Sequence, residues 1–135
     1  MKQLLLVGFL LFSYLFIGFF LKPTKEQHVK LVISKSKHLF GVASYYSHHF
    51  HGKKTANGEI FNKNRLTAAH RTLPFGTMLK VTRVDSGKSI VVRINDRGPY
   101  IGNRIIDLSE ASAKHLDFIK DGLTQVKLEV VDLNG

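Results

Sequence analysis

A chain of 135 residues leaves room for one compact domain and little besides. It has no cysteine, which excludes disulfide stapling, thiolate catalysis, cysteine-ligated metals and a lipidated cysteine tether. The formal charge of +10 is shared evenly, +5 over residues 1–40 and +5 over 41–135. That balance favours an anionic polymer or a membrane surface. With no recognition helix, zinc finger or arginine stripe interleaved with aromatics, it does not point to nucleic acid.

Residues 4–21 carry no charge, and a helix of that length is about 27 Å long, close to the thickness of a bilayer core. The run is expected to be a signal peptide or signal anchor. Its long apolar centre and the lack of a small-x-small pattern before Lys22 favour the anchor. Residues 22–39 form a basic linker, in which Val29, Leu31 and Ile33 alternate well enough for a short strand.

The domain proper spans 40–133. Residues 41–46 are expected to form a strand, and 47–65 a long loop rich in His, Gly, Asn and Lys. Residues 78–84 and 89–95 alternate as strands, joined by a hairpin turn at 85–88. After a short apolar step at Ile105 and Ile106, residues 107–116 are expected to be helical, with Asp107 as N-cap and Glu110 completing a capping box. Residues 125–131 close the domain as a strand. The fold class is mainly β, a small barrel whose closure removes exposed edges.

Elimination narrows the carboxylates. Asp85, Asp107, Glu110, Asp117, Asp121, Glu129 and Asp132 sit at turns, caps, helix exits or on the last strand, and Glu26 lies in the linker. Two remain, Glu59 in Thr55-Ala-Asn-Gly-Glu59 and Asp96 in Asn95-Asp-Arg-Gly-Pro99. A pair of carboxylates in glycine-bearing segments suits chemistry on a glycosidic bond. Alternation sends Arg93, Asn95 and Arg97 one way and Val92, Ile94 and Asp96 the other. Asp96 then ends an apolar face, where desolvation raises a carboxyl pKa toward that of a general acid. Arg97 or Arg104 folding back would do the opposite. Residue types alone leave the bland alternatives open, Asp96 as a turn organiser and Glu59 as a solvated glutamate after Asn57-Gly58.

Three further groups stand near these strings. His70, after Thr67-Ala-Ala, is either a donor to carboxylate or sugar or a structural histidine. His48, His49 and His51 are closely spaced, as zinc ligands can be, but such ligands are normally completed by groups held elsewhere, and no metal site is expected. Tyr45, Tyr46, Phe50 and Tyr100 suit sugar faces and a small core equally.

Six strings in order resemble the rare lipoprotein A family of double-psi β-barrel proteins over nearly all of residues 41–132. They are Gly41-Val-Ala-Ser-Tyr-Tyr46, Phe50-His-Gly52, Thr55-Ala-Asn-Gly-Glu59, Thr67-Ala-Ala-His-Arg-Thr-Leu-Pro74, Asn95-Asp-Arg-Gly-Pro-Tyr100 and Arg104-Ile-Ile-Asp-Leu-Ser109. The resemblance implies a six-stranded double-psi barrel with one or two short helices, preceded by the apolar segment. It implies an endolytic lytic transglycosylase that cuts the MurNAc-GlcNAc bond of peptidoglycan, preferring strands without stem peptides, and leaves 1,6-anhydroMurNAc ends. Asp96 and Glu59 then take the catalytic positions, Asp96 as acid and base and Glu59 supporting positive charge at the sugar, with the reverse assignment open. His70, Tyr45, Tyr46, Thr55, Asn57, Arg97 and Tyr100 are the expected substrate-binding residues. No metal or cofactor is implied. The expected partners are glycan strands, cell-division proteins and, through residues 4–21, the membrane. The chain is expected to be a monomer in the bacterial envelope, outside the cytoplasm, acting in wall remodelling or septum separation. The rival reading is a non-catalytic, expansin-like wall binder. The sequence departs from the family pattern at Tyr45, where tryptophan is usual, at Ser47, where glycine is usual, and in lacking the lipidated cysteine.

Overall fold

The computed structural model describes residues 22, 24–27 and 38–132. The apolar run 4–21 and the strand expected at 29–33 lie outside the described residues. Among the described residues no helix is long and apolar enough to cross a membrane. Residues 25–27 make one helical turn, at which Thr24 and Gln27 exchange side-chain to backbone hydrogen bonds of 3.0 and 3.2 Å.

From Leu39 onward the chain forms a closed six-stranded barrel. Its strands are β1 (Leu39–Tyr45), β2 (Thr67–Ala69), β3 (Met78–Arg83), β4 (Ser89–Asp96), β5 (Arg104–Leu108) and β6 (Thr124–Asp132), with one helix, α1 (Glu110–His115), and a 3₁₀ turn at His48–Phe50. Around the barrel the order is β1-β5-β2-β4-β3-β6. β1 with β5 and β2 with β4 run parallel, and the remaining pairs are antiparallel.

The alternation in the sequence becomes the inside and outside of this barrel. Leu79 and Val81 of β3, Val92 and Ile94 of β4, and Val126 and Leu128 of β6 fill the interior, while Lys80 and Val91 face solvent. Ile106 and Leu108 from β5 and Leu116 and Phe118 beyond α1 complete the core. The turn between β3 and β4 closes through Arg83 N–H to Lys88 carbonyl, 2.8 Å.

Two elements differ from expectation. The apolar step at 105–106 and the first expected helical residues are one strand, β5. Its period of two buries Ile106 and Leu108 and turns Asp107 aside to accept from the Ser44 hydroxyl and, at 2.5 Å, from Arg104. Asp107 is therefore not the cap of α1. Ser109 is, its hydroxyl accepting from Ser112 N–H at 3.2 Å, and Glu110 sits in the first turn paired with Lys114 at 2.7 Å. Strand β2 was not legible, because all three of its residues are buried and show no alternation.

Candidate active site

The loop after β1 is more ordered than its composition suggests. It doubles back as a small hairpin, with Phe61 N–H on Lys53 carbonyl at 2.8 Å and Thr55 N–H on Glu59 carbonyl at 2.8 Å. Gly58 at φ 89° turns the tip, a conformation that L side chains resist. The tip docks on the end of β4 through Asn57 N–H to Asn95 carbonyl, 3.3 Å, and Ala56 N–H to the Asp96 carboxylate, 2.8 Å. One short segment thus touches both carboxylates, Glu59 at one end of it and Asp96 beside its middle.

Asp96 is surrounded differently from the alternation argument. The β2–β4 pairing shifts register between Ala68, opposite Ile94, and Ala69, opposite Asp96, so Asn95 is an extra residue in the ladder. The bulge takes Asp96 off the apolar face and into a set of donors. Oδ1 accepts from Ala56 N–H and Arg97 N–H, both 2.8 Å, and Oδ2 from the Tyr46 hydroxyl at 2.5 Å. Neither Arg97 nor Arg104 pairs with it through the side chain. The Arg97 guanidinium lies 3.9 Å over the Phe75 ring and donates to the carbonyls of His70 and Leu73, and Arg104 is held by Asp107.

The two adjacent tyrosines separate. The Tyr46 ring packs on Phe61 and Phe50, with centroids 4.5 and 5.5 Å apart, and its hydroxyl reaches Asp96. Burial first, and then the bonded carboxylate, push its phenol far above its ordinary pKa, so it stays protonated. Tyr45, expected to bind sugar, packs instead edge-on against Phe118 and donates to Ile119 carbonyl at 3.0 Å. Strand alternation sends it to the core side.

Glu59 is a locked ion. Arg93 donates to both of its oxygens, at 2.6 and 2.8 Å, Asn57 Nδ2 to one at 2.9 Å and Asn95 Nδ2 to the other at 3.2 Å. Thr55 braces Asn57 at 2.7 Å. The Arg93 hydrogen bonds, above all, lower the Glu59 pKa to about 2. A depressed acid stabilises the fold fully above its unfolded value, near 4.5, and the stabilisation fades as pH falls through 2. The pair is half-exposed, so solvent limits the contribution to about 1 kcal/mol. Thermal unfolding of wild type against Glu59→Gln should show the wild-type advantage shrinking between pH 4.5 and pH 2 and unchanged from pH 5 to 7; a constant difference across that range would contradict the linkage.

His70 is buried beside the end of β4, its N–H on the Asp96 carbonyl at 3.2 Å. Nδ1 accepts from Thr72 and Leu73 N–H at 3.2 and 3.1 Å, which puts the ring proton on Nε2. Burial, with Arg97 and Arg71 nearby, lowers its pKa to about 4, so it is neutral near pH 7. Arg71 gathers the carbonyls of Pro99, Gly102 and Arg104 and so fixes the segment that carries Tyr100, which is 74 % exposed. Gly98 at φ 117° is the residue that lets the chain turn from Asp96 into that segment. Among the described residues no group of three or more His, Asp or Glu is placed to hold a metal.

A family model described as lytic transglycolase matches residues 39–128. The chain belongs to that family. Among its relatives, the endolytic peptidoglycan transglycosylase RlpA of Campylobacter jejuni is 55 % identical over 91 residues, 67 % of this chain and 33 % of the relative. The protein of the same name from Helicobacter pylori J99 is 53 % identical over 95 residues, 70 % and 30 % of the two chains. That of Pseudomonas aeruginosa is 46 % identical over 99 residues, 73 % and 29 %. The chain thus spans about a third of the length of these relatives. The Streptomyces papain inhibitor has a TM-score of 0.59 at 20 % identity, covering 72 % of this chain and 96 % of its own. The Clavibacter michiganensis expansin scores 0.58 at 20 % identity, covering 70 % and 50 %. At that identity the likeness concerns the fold alone, the double-psi barrel expected from the sequence.

Within this lytic transglycolase domain, sequence reasoning missed Arg93 as the partner of Glu59. The signal was present, since alternation places Arg93 and Asn95 on one side and both reach Glu59. Arg71, Phe75 and Phe61 carried no such signal, because each acts across a long sequence separation.

Proposed function

We propose that this chain is an endolytic peptidoglycan lytic transglycosylase, acting on glycan strands without stem peptides and leaving 1,6-anhydroMurNAc ends. The observation that supports it best is Asp96, a carboxylate at a bulged strand end, oriented on three sides, in a family whose relatives carry that activity in their names. Asp96 in its acid form protonates the oxygen between MurNAc and GlcNAc. As that bond breaks, the carboxylate takes the proton of the muramic 6-hydroxyl, whose oxygen closes onto the anomeric carbon. No water is consumed, and the proximity of the internal nucleophile does much of the work.

The bonding pattern supports a division of labour between the two oxygens. Oδ1 faces two backbone N–H groups that cannot turn away, so the travelling proton belongs on Oδ2. The Tyr46 hydroxyl there donates to the carboxylate and rotates to accept from the acid. Tyr46→Phe should therefore lower kcat/KM about tenfold, with little change in melting temperature because the ring packing is kept. Unchanged cleavage kinetics would remove Tyr46 from the mechanism.

Glu59 stays ionised and cannot serve as the acid near neutral pH, which argues against the reverse assignment. With Arg93 alongside, its role in this proposal is to hold the 55–59 segment, and through Ala56 N–H the Asp96 carboxylate. The neutral His70, Asn57 and Thr55, with Arg97 and exposed Tyr100, border the strand-binding surface. We place the domain outside the cytoplasm, tethered by residues 4–21 as a monomer, serving wall remodelling at septa with cell-division proteins. The test is incubation of the full chain in detergent with peptide-stripped sacculi and mass spectrometry of the products. Fragments with 1,6-anhydro ends are expected. Reducing ends would indicate hydrolysis, and pelleting without release would favour the expansin-like binder.

A further inference from the structure

A groove of about 650 Å³ opens on the Glu59 side of the site and does not include Asp96. Its walls are Glu59, Arg93, Arg65 and the exposed apolar side chains of Ile60, Leu66 and Val91. Such a mixture fits a sugar, with an apolar ring face and a polar rim. Asn95 and Thr67 also line it, and their side-chain oxygens, Oδ1 and Oγ1, are buried with no hydrogen-bond partner among the described residues. Asn95 is 2 % exposed and Thr67 5 %, and both line the groove.

The charges are as uneven as the hydrogen bonds. Glu59 and Arg93 neutralise each other at 2.6 Å. The exposed Arg65 guanidinium has no ion pair or side-chain hydrogen bond among the described residues. Among the described residues the groove therefore carries one uncompensated positive charge, and its complement is a carboxylate on the sugar.

On a peptidoglycan strand one group answers that description. The lactyl ether of muramic acid ends in a carboxyl that is a neutral amide while the stem peptide is attached and a carboxylate once the peptide is gone. We propose that the groove is a muramic-acid subsite in which Arg65 pairs with the free lactyl carboxylate, so that Arg65 reads the absence of the stem peptide. The polymer is taken from the reading above, but the subsite is a matter of binding and not of bond cleavage. An arginine fork on a carboxylate is both charge-assisted and directional, which makes it a discriminating contact.

The test uses the full chain carrying Asp96→Asn, which should not cut the ligand. It is titrated by fluorescence anisotropy with short labelled glycan strands whose lactyl carboxylates are either free or converted to neutral methylamides. The free-acid strands are expected to bind about tenfold more tightly. Adding Arg65→Gln should remove that difference, and Arg65→Lys should keep part of it. Lys120→Gln, which deletes a charge outside the groove, should leave the preference intact. Equal affinity for the two strands, a preference that survives Arg65→Gln, or an equal loss with Lys120→Gln would each overturn the assignment. If the wild-type chain makes no 1,6-anhydro ends, the transglycosylase reading fails while the Arg65-dependent preference is still measurable.

Discussion

Asp96→Asn should abolish the release of anhydro-ended fragments, a loss of about 10²–10⁴-fold in kcat, the range that a positioned general acid supplies. The substitution is nearly isosteric. Its Oδ1 still accepts from Ala56 and Arg97 N–H, and its amide still meets Tyr46, so the bulge and the docked 55–59 segment are expected to persist. What is lost is the capacity to give and take a proton. Strand binding and the unfolding temperature should therefore stay near wild type while product formation disappears. Measured on peptide-stripped sacculi, cleavage by Asp96→Asn at a rate near that of wild type would place the acid elsewhere.

The second large effect concerns Glu59 and Arg93 as a unit. If the Glu59 charge acted directly on the sugar, removing Arg93 would free that charge and leave activity intact or higher. The geometry argues for the opposite. Both Glu59 oxygens are occupied by Arg93 and by the amides of Asn57 and Asn95, so the carboxylate serves as the knot that ties the hairpin tip to β4. Glu59→Ala and Arg93→Met should each lower kcat/KM about a hundredfold, the penalty of a slight misplacement of the acid. The double variant should be no worse than either single one, because residues that act together do not add. A fully additive loss would mean that Glu59 and Arg93 work separately.

Much of this domain was readable from residue order. Strands β3, β4 and β6 alternate cleanly, and the Asp85–Lys88 turn joins the first two, so a mainly β fold with closed edges followed from local pattern. Elimination left Asp96 and Glu59 because every other domain carboxylate had a local use, and the structure pairs most of those with nearby cations, Asp85 with Arg83 and Glu110 with Lys114. The ordered strings then carried the family. Other features lay out of reach of a period of two. β2 is buried on both sides and has no alternation to show. The step at Ile105-Ile106 was half of a strand whose partners, β1 and β2, lie far away in sequence.

The two strings that hold the carboxylates illustrate the division most clearly. Residue types placed Asp96 and Glu59 in turn-forming segments and marked them as candidates. Whether they met, and in what state, depended on contacts over 34 to 50 residues, Arg93 to Glu59 and Tyr46 to Asp96 among them. A single extra residue at Asn95, visible only in the ladder with β2, exchanged the apolar surrounding of Asp96 for three donors. Alternation could say that Tyr45 and Tyr46 face opposite sides, but only closure of the barrel decided which packed on Phe118 and which reached Asp96. Local periodicity sets which side chains share a face, whereas register and closure, set by long-range pairing, decide what that face meets.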